Sequence, residues 1–516
     1  MKLSSLIPLL VLAVSTVFGQ SNTEQLPAPT PCGQRIRKSW DMLTAVEKQV
    51  YIRAIERSMD DGLYIKFVEI HTEQMTTAEA HGTCMFIYWH RLLLLGFENM
   101  LRSYGGEFAC LTVPYWNYVD HNELYLNGQC DSMEACSPIL QELGGSTQGT
   151  TASVTVNGTP VRGTCVRTRP ANHFCEASHL QGADCARCIP RGNWLETGFP
   201  PTASVSSLMR QLFSSPTIGT VATSIEQGIH NTMHNSLGGI MGVLEAPADP
   251  IFFSHHATLD LLHSLFFHCA VGDVAAQPLE QRVADPRQYV ACQRREALPI
   301  RSIDRDVLLP ESNAMLRSGE EGVQALSVWN PSNPLAPFFA SLPTSYAALS
   351  DIRNLGAFSY NYQYAGLLAN MFTTCADVTS LLGTATRPGA FGSFRRLETQ
   401  AANSSSVEAV IMPTETSDQW YVDALREAVT ATKTNLTEQS SSSSPMEAAL
   451  REVEKMTCMF YSECRRPVTD LSTSFRRSFH AQGSTPCSKI ISDITAGRDA
   501  IRVPNWKTVM LRHLNC

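Results

Sequence analysis

Of the 516 residues in this chain, 16 are cysteines, and this even number constrains the fold more than any other feature. They form three groups: Cys32, Cys84 and Cys110; six from Cys130 through Cys188; and a scattered set from Cys269 to Cys516. The N-terminus indicates their redox state. Met1-Lys2 precedes an apolar stretch over 6–18, with Val17 and Gly19 at −3 and −1 of a cut before Gln20. That pattern reads as a secretory signal peptide over 1–19, too short to span a bilayer. No later stretch reaches about 18 apolar residues, so no membrane anchor is expected. The mature chain is expected to be secreted and extracellular, where cysteines pair as disulfides. Cys185 and Cys188 form a CxxC, but no second pair at zinc-site spacing accompanies it, so disulfide is the better reading. The pairing itself does not follow from sequence.

At 43% apolar residues the chain can bury a large core, which excludes global disorder. Its net charge of −8 and lack of a long basic run exclude nucleic acid as the main partner. Apolar positions recur at helical spacing from 39 to about 69, and a second helix runs from Trp89-His90-Arg91 through the leucines to Leu101. Residues 129–201, rich in Cys, Gly, Thr and Pro, read as a long disulfide-stapled loop region. Helical signal returns at 223–236, 255–268 and 446–456. The stretch 399–445 is Ser/Thr-rich and contains the serine run 440–444, a linker composition with room for a short helix at 422–431. The expected organisation is a signal peptide (1–19), a helical domain (20–300), an extension of mixed structure (301–398), the linker (399–445) and a small Cys-containing segment (446–516). Sequons at Asn157, Asn403 and Asn435 make N-glycosylation an option in a secreted chain.

Chemistry is carried by the 14 histidines. His71, His81 and His90 are spaced by 10 and 9 residues, which rules out one face of one helix. They converge only if His71 ends one helix, His81 sits in a connection and His90 starts the next. Three imidazoles without a thiol or carboxylate suit copper or zinc. A second set begins with His230 and His234, i and i+4 on one helix face, and is completed by His256 at the start of another helix. Asn231 stands where a zinc protease would carry its glutamate, and two such sets argue for a pair of copper ions. His255 should point elsewhere and support its neighbour, while His263 is expected to pack or hydrogen-bond.

HGTCMFIYWHR (81–91) with Phe97-Glu98, VPYWNY (113–118), HNTMHN (230–235) with Gly238-Gly239, and DPIFFSHHATLD (249–260) stand in this order over about half the chain. Together they resemble the tyrosinase, catechol oxidase and haemocyanin family of type 3 copper proteins. The resemblance implies a mainly α fold, in which a four-helix bundle within the copper domain of 20–300 holds a binuclear copper site. Disulfide-rich loops and a C-terminal extension would surround that bundle. It assigns His71, His81 and His90 to the first copper, and His230, His234 and His256 to the second, with O2 as co-substrate. Three positions depart from the family pattern. The spacing from His71 to His81 is short; Glu79 stands where many members carry a cysteine linked to the second histidine; and His263 replaces a tryptophan.

The activity implied is tyrosinase: o-hydroxylation of monophenols and oxidation of o-diphenols to o-quinones. Its substrates would be small phenols or tyrosyl side chains. Glu226, four residues before His230, and Asn231 resemble a pair that holds a phenol-deprotonating water in hydroxylating members. Val243, small and placed near the copper by the family pattern, suggests an open site. The alternatives are a catechol oxidase without hydroxylation and an O2 carrier. The carrier is disfavoured because the chain has one copy of the domain. Family members often carry a C-terminal extension that covers the site until cut, so the tail is expected to restrain activity; the alternative is a separate adhesion or stability module tethered by the linker.

Overall fold

Helical periodicity over 39–69 resolves into a short turn at Trp40–Met42 and two helices, α1 (Ala45–Asp60) and α2 (Tyr64–Thr72). The break is local chemistry. Gly62 has φ +71°, a conformation costly for residues with a Cβ, and it ends the helix that the apolar spacing alone would continue. The Thr44 side chain caps α1 and is reciprocated by Glu47, which fixes its start. Then follow α3 (Gln74–Ala80) and the almost wholly buried α4 (Phe86–Arg102). The buried 20-residue helix Ile251–Ala270 packs against α4. The structure, a computed structural model, describes residues 32–272, 274, 277–295, 307–375, 407–412, 418–435 and 445–516. The signal peptide, the Asn403 sequon and the serine run expected from the sequence lie outside the described residues.

The protein is mainly α, and its described strands form sheets of only two or three strands. Residues 129–201 are not only loop. They contain the antiparallel hairpin Gly149–Val156 and Thr159–Val166, extended by Ile189–Arg191. Asn157 and Gly158, both at positive φ, form the turn, as two-residue hairpins favour. The Asn157 amide nitrogen donates to Thr72 Oγ1 at 2.9 Å and its side chain is buried, so this sequon faces inward. Eight disulfides join all 16 cysteines. Cys185 and Cys188 pair with Cys175 and Cys165, not with zinc or with each other. No described helix is long and apolar enough to cross a membrane.

One apolar cluster extends from Trp40 to Leu514, across the segment boundaries drawn from composition. Strand Asn361–Ala365 pairs in parallel with Ile36–Arg37 on one side and Val410–Met412 on the other. Within the Ser/Thr-rich stretch, the helix Gln419–Asn435 extends the short one allowed at 422–431 and packs against Pro445–Cys464. Its Trp420 donates to Glu123 at 3.0 Å. Tyr461, on the following helix, donates to Asn122 at 2.5 Å. The C-terminal segment is thus laid against the helical domain.

Candidate metal centre

Helical segments distant in sequence bring the two histidine sets together. His71 lies in the last turn of α2, His81 directly follows α3, and His90 sits in the second turn of α4. Their ring centroids are 4.8, 5.2 and 5.7 Å apart. His71, for all its short spacing to His81, belongs to the group. His230 ends a wide π-type turn at Glu226–His230, His234 follows in the helix Asn231–Leu237, and His256 lies in Ile251–Ala270. Their centroids are 4.5, 5.3 and 5.6 Å apart. The wide turn departs from the continuous helix expected at 223–236. Its cause is Gly228, whose ψ of −108° is not helical. Gln211 accepts from the Ile229 amide at 2.9 Å, and a Cβ on Gly228 would come within 2.3 Å of the same Gln211 oxygen.

All six rings are buried. Burial, the largest influence on each, pulls their pKa values down, to about 3 for His71 and about 4 for His234, so the imidazoles are neutral. Hydrogen bonds then set the tautomers. The Nδ1 atoms of His71, His90 and His234 face the carbonyls of Leu244, Phe86 and Met241 at 2.6, 2.8 and 2.7 Å. A carbonyl only accepts, so each Nδ1 carries the proton and each Nε2 keeps a lone pair. His81 Nδ1 meets Thr77 Oγ1 at 3.1 Å, and His230 Nδ1 meets Asn231 Oδ1 at 2.9 Å.

The Nε2 atoms of His71, His81, His90 and His230 are buried without a hydrogen-bond partner, while those of His234 and His256 face one another at 3.4 Å. Buried polar atoms are seldom left unpaired. Converging lone pairs from neutral imidazoles are what two metal ions require, with the Nδ1 bonds orienting each ring. The residues therefore fit a metal pair, and their all-nitrogen donor set suits copper.

His255 is closer to the site than the sequence suggested. Its ring lies 5.8 Å from His230 and 5.1 Å from His234, and both its nitrogens are unpartnered, so four imidazoles share the second cluster. His263 bonds Arg91 at 2.6 Å, away from the six. Glu79 makes an ion pair with Arg294 at 2.8 Å and accepts from Tyr346 and from the Met315 amide. A third grouping, His268 with Cys269 and Cys375, offers no thiolate because its cysteines are joined.

Glu226 is buried, and one of its oxygens accepts from the Gly82 amide at 2.7 Å, beside His81. Burial pushes its carboxyl up to about 7, against the pull of that amide and of Arg295. Val243 is half-buried in the loop that leads to Leu244. The residue over the histidines is one the sequence reading missed. Phe479 places its ring 5.5 Å from His81, 5.3 Å from His234 and 6.0 Å from His230. It ends the short helix Thr473–Phe479, where Phe475 stacks on it at 4.5 Å. The Asn235 side chain, next to His234, accepts from the Ser472 amide at 2.8 Å and ties that helix down.

Comparison with known proteins finds tyrosinases and polyphenol oxidases. Residues 61–268 match the family described as the common central domain of tyrosinase. A tyrosinase of Aspergillus flavus is 26% identical over 275 residues, covering 50% of this chain and 71% of that relative. A tyrosinase of Hahella sp. is 31% identical over 227 residues, covering 40% of this chain and 44% of the relative. A solved polyphenol oxidase from Thermothelomyces thermophila is similar over 64% of this chain and 88% of its own, at 19% identity and a TM-score of 0.41. The family implies a binuclear copper centre, and the two histidine clusters are the groups that could bind it. Over residues 61–268, the chain is similar to the central domain that tyrosinases share.

Proposed function

We propose that this chain is a secreted binuclear copper oxidase that uses O2 to hydroxylate monophenols and oxidise o-diphenols to o-quinones. The observation that carries the reading is the set of inward-facing Nε2 lone pairs on His71, His81, His90, His230, His234 and His256. His71, His81 and His90 would hold one copper and His230, His234 and His256 the other. Copper, when bound, supplies one-electron redox chemistry and a Lewis acid for the phenol oxygen. Small phenols or tyrosyl side chains are the substrates. Eight disulfides fit an oxidising, extracellular setting.

The chain's own contribution to hydroxylation is proton removal. A phenol loses its proton only near pH ~10 in water. Glu226, raised to about 7 by burial, is tuned to receive a proton near neutral pH. With the Asn231 amide it would hold a water that passes the phenol proton to Glu226. One observation favours a second reading, oxidation of o-diphenols alone. Asn231 Oδ1 already faces His230, and a Glu226 oxygen is engaged by Gly82.

Phe479 supports latency: a ring over the histidines occupies the place a phenol must take. A cut between 403 and 445 would sever the tail's backbone link and raise activity. The test is copper-loaded protein, intact and cut, incubated with tyrosine and with catechol while quinone absorbance is followed. Quinone from both substrates, faster after cutting, is expected. Absence of quinone from catechol in either form would overturn the oxidase reading.

A further inference from the structure

Among the described residues, Arg295 carries a charge that no carboxylate meets at contact distance. Its guanidinium donates to two backbone carbonyls, Thr77 at 3.3 Å and Phe479 at 3.4 Å, and its buried Nε has no partner. Among the described residues no carboxylate stands within ion-pairing distance of it. Glu226 is the carboxylate whose field acts on it, but Glu226 is turned to the Gly82 amide. Arginine keeps its proton in proteins, so a half-buried guanidinium bonded only to neutral acceptors is a ready anion site.

Its position is fixed. The Cys84–Cys292 disulfide lies just before it, and the Arg295 amide donates to Ala78 at 3.1 Å. Its side chain lies against Gly82, where a Cβ would stand 3.4 Å from Arg295 Cδ. Gly82 follows His81 directly, so the guanidinium sits at the rim of the histidine site.

Phe479 reports what this rim can hold. Its ring lies over His81, His230 and His234, while its own carbonyl oxygen reaches Arg295. Ring and carbonyl group are separated by two carbons, Cβ and Cα. A free molecule with the same skeleton and a carboxylate in place of that carbonyl would put its ring at the histidines and its charge on Arg295. The carboxylate would also add the negative charge that the neutral carbonyl lacks.

We propose that, once the Phe479 segment withdraws, Arg295 selects phenols carrying a carboxylate two carbons from the ring over neutral phenols. This deepens the oxidase reading of the same site and rests on it. A 3-arylpropanoate is the minimal member of the class.

The test uses the full chain carrying Phe479→Ala and a specific protease sequence in place of residues 481–484. After nicking there, Cys458–Cys487 keeps the two parts joined while the plug helix gains a free end. Binding of 3-(4-hydroxyphenyl)propanoate and of 4-ethylphenol is measured on the metal-free protein, and KM for both on the copper-loaded protein. The acid should bind at least about tenfold more tightly than the neutral phenol, as a charge-assisted pair implies. Arg295→Gln should erase the preference and Arg295→Lys should keep part of it. Equal affinities, binding of neither probe, or a preference that survives Arg295→Gln would overturn the proposal. Oxidation of 4-methylcatechol by the same copper-loaded protein reports separately on the oxidase reading. Turnover of the catechol without acid preference sinks the Arg295 role alone, and acid preference without turnover sinks the oxidase alone.

Discussion

His90 and His256 stack face to face, ring centroids 4.2 Å apart and planes within 10°, and so join the two histidine sets. Each comes from a different long helix, and those helices are tied one residue and one turn further on. Arg91 donates to Asp260 at 2.6 Å. Asp260 also accepts from Tyr360 and Tyr362, both at 2.6 Å, and lies 3.3 Å from Arg37. The extension beyond residue 300 therefore reaches the carboxylate that sets the spacing of the two histidine helices.

Asp260→Asn should destabilise the protein strongly. It leaves Arg91 and Arg37 buried with a charge removed from between them, a loss of about 3–5 kcal/mol for a broken buried pair. Urea unfolding of the metal-free protein measures it. A change below about 1 kcal/mol, the size of an exposed pair, would show that the network does not hold the helices.

Acid should weaken the fold in a defined window. Burial alone would raise the Glu98 carboxyl, but Arg35, Arg37 and the Val113 amide outweigh it and hold Glu98 at about 2, below the ordinary 4.5. A carboxyl lowered in the folded state binds fewer protons there than in the unfolded chain. Its contribution is therefore complete above pH 4.5 and lost as pH falls toward about 2. The urea midpoint should drop across that interval, and Glu98→Gln should flatten the slope while lowering the midpoint at neutral pH. An unchanged slope in the variant would contradict the assignment.

Glu226→Gln should separate the two activities. If Glu226 takes the phenol proton, hydroxylation of a monophenol falls by about 10²–10⁴, the usual worth of general-base help, and catechol oxidation falls much less. Initial rates on tyrosine and on 4-methylcatechol decide it. Equal losses would make Glu226 a support for the Gly82 turn only.

Phe479→Ala in the uncut chain should raise the oxidation rate of a small catechol at least several-fold and bring it toward that of the cut protein. The substitution removes the ring from the histidines but leaves the Asn235 tie to Ser472 in place. A rate no higher than that of the parent chain would mean that the tail does not restrain the site.

The six candidate ligands were legible because metal binding restricts residue type and spacing together. His230 and His234 needed only helical periodicity, and His71, His81 and His90 were placed correctly as helix end, connection and following helix. What escaped depends on partners distant in sequence. The wide turn at Glu226–His230 combines the non-helical Gly228 with Gln211, distant in sequence, which accepts from the Ile229 amide. The break after α1 and the hairpin turn did have local signals, Gly62 and Asn157-Gly158, which the broader composition of their segments obscured. Phe479 had none: an i, i+4 phenylalanine pair in a seven-residue helix looks like any small apolar face, and only tertiary packing shows what it covers.

Copper content of the full-length protein, measured after loading and dialysis against a weak chelator, tests the central claim most directly. Two ions per chain are predicted, falling toward one in both His90→Ala and His256→Ala, since each removes one of three imidazoles from one site. One ion per chain in the parent protein, or two retained in both variants, would contradict the assignment.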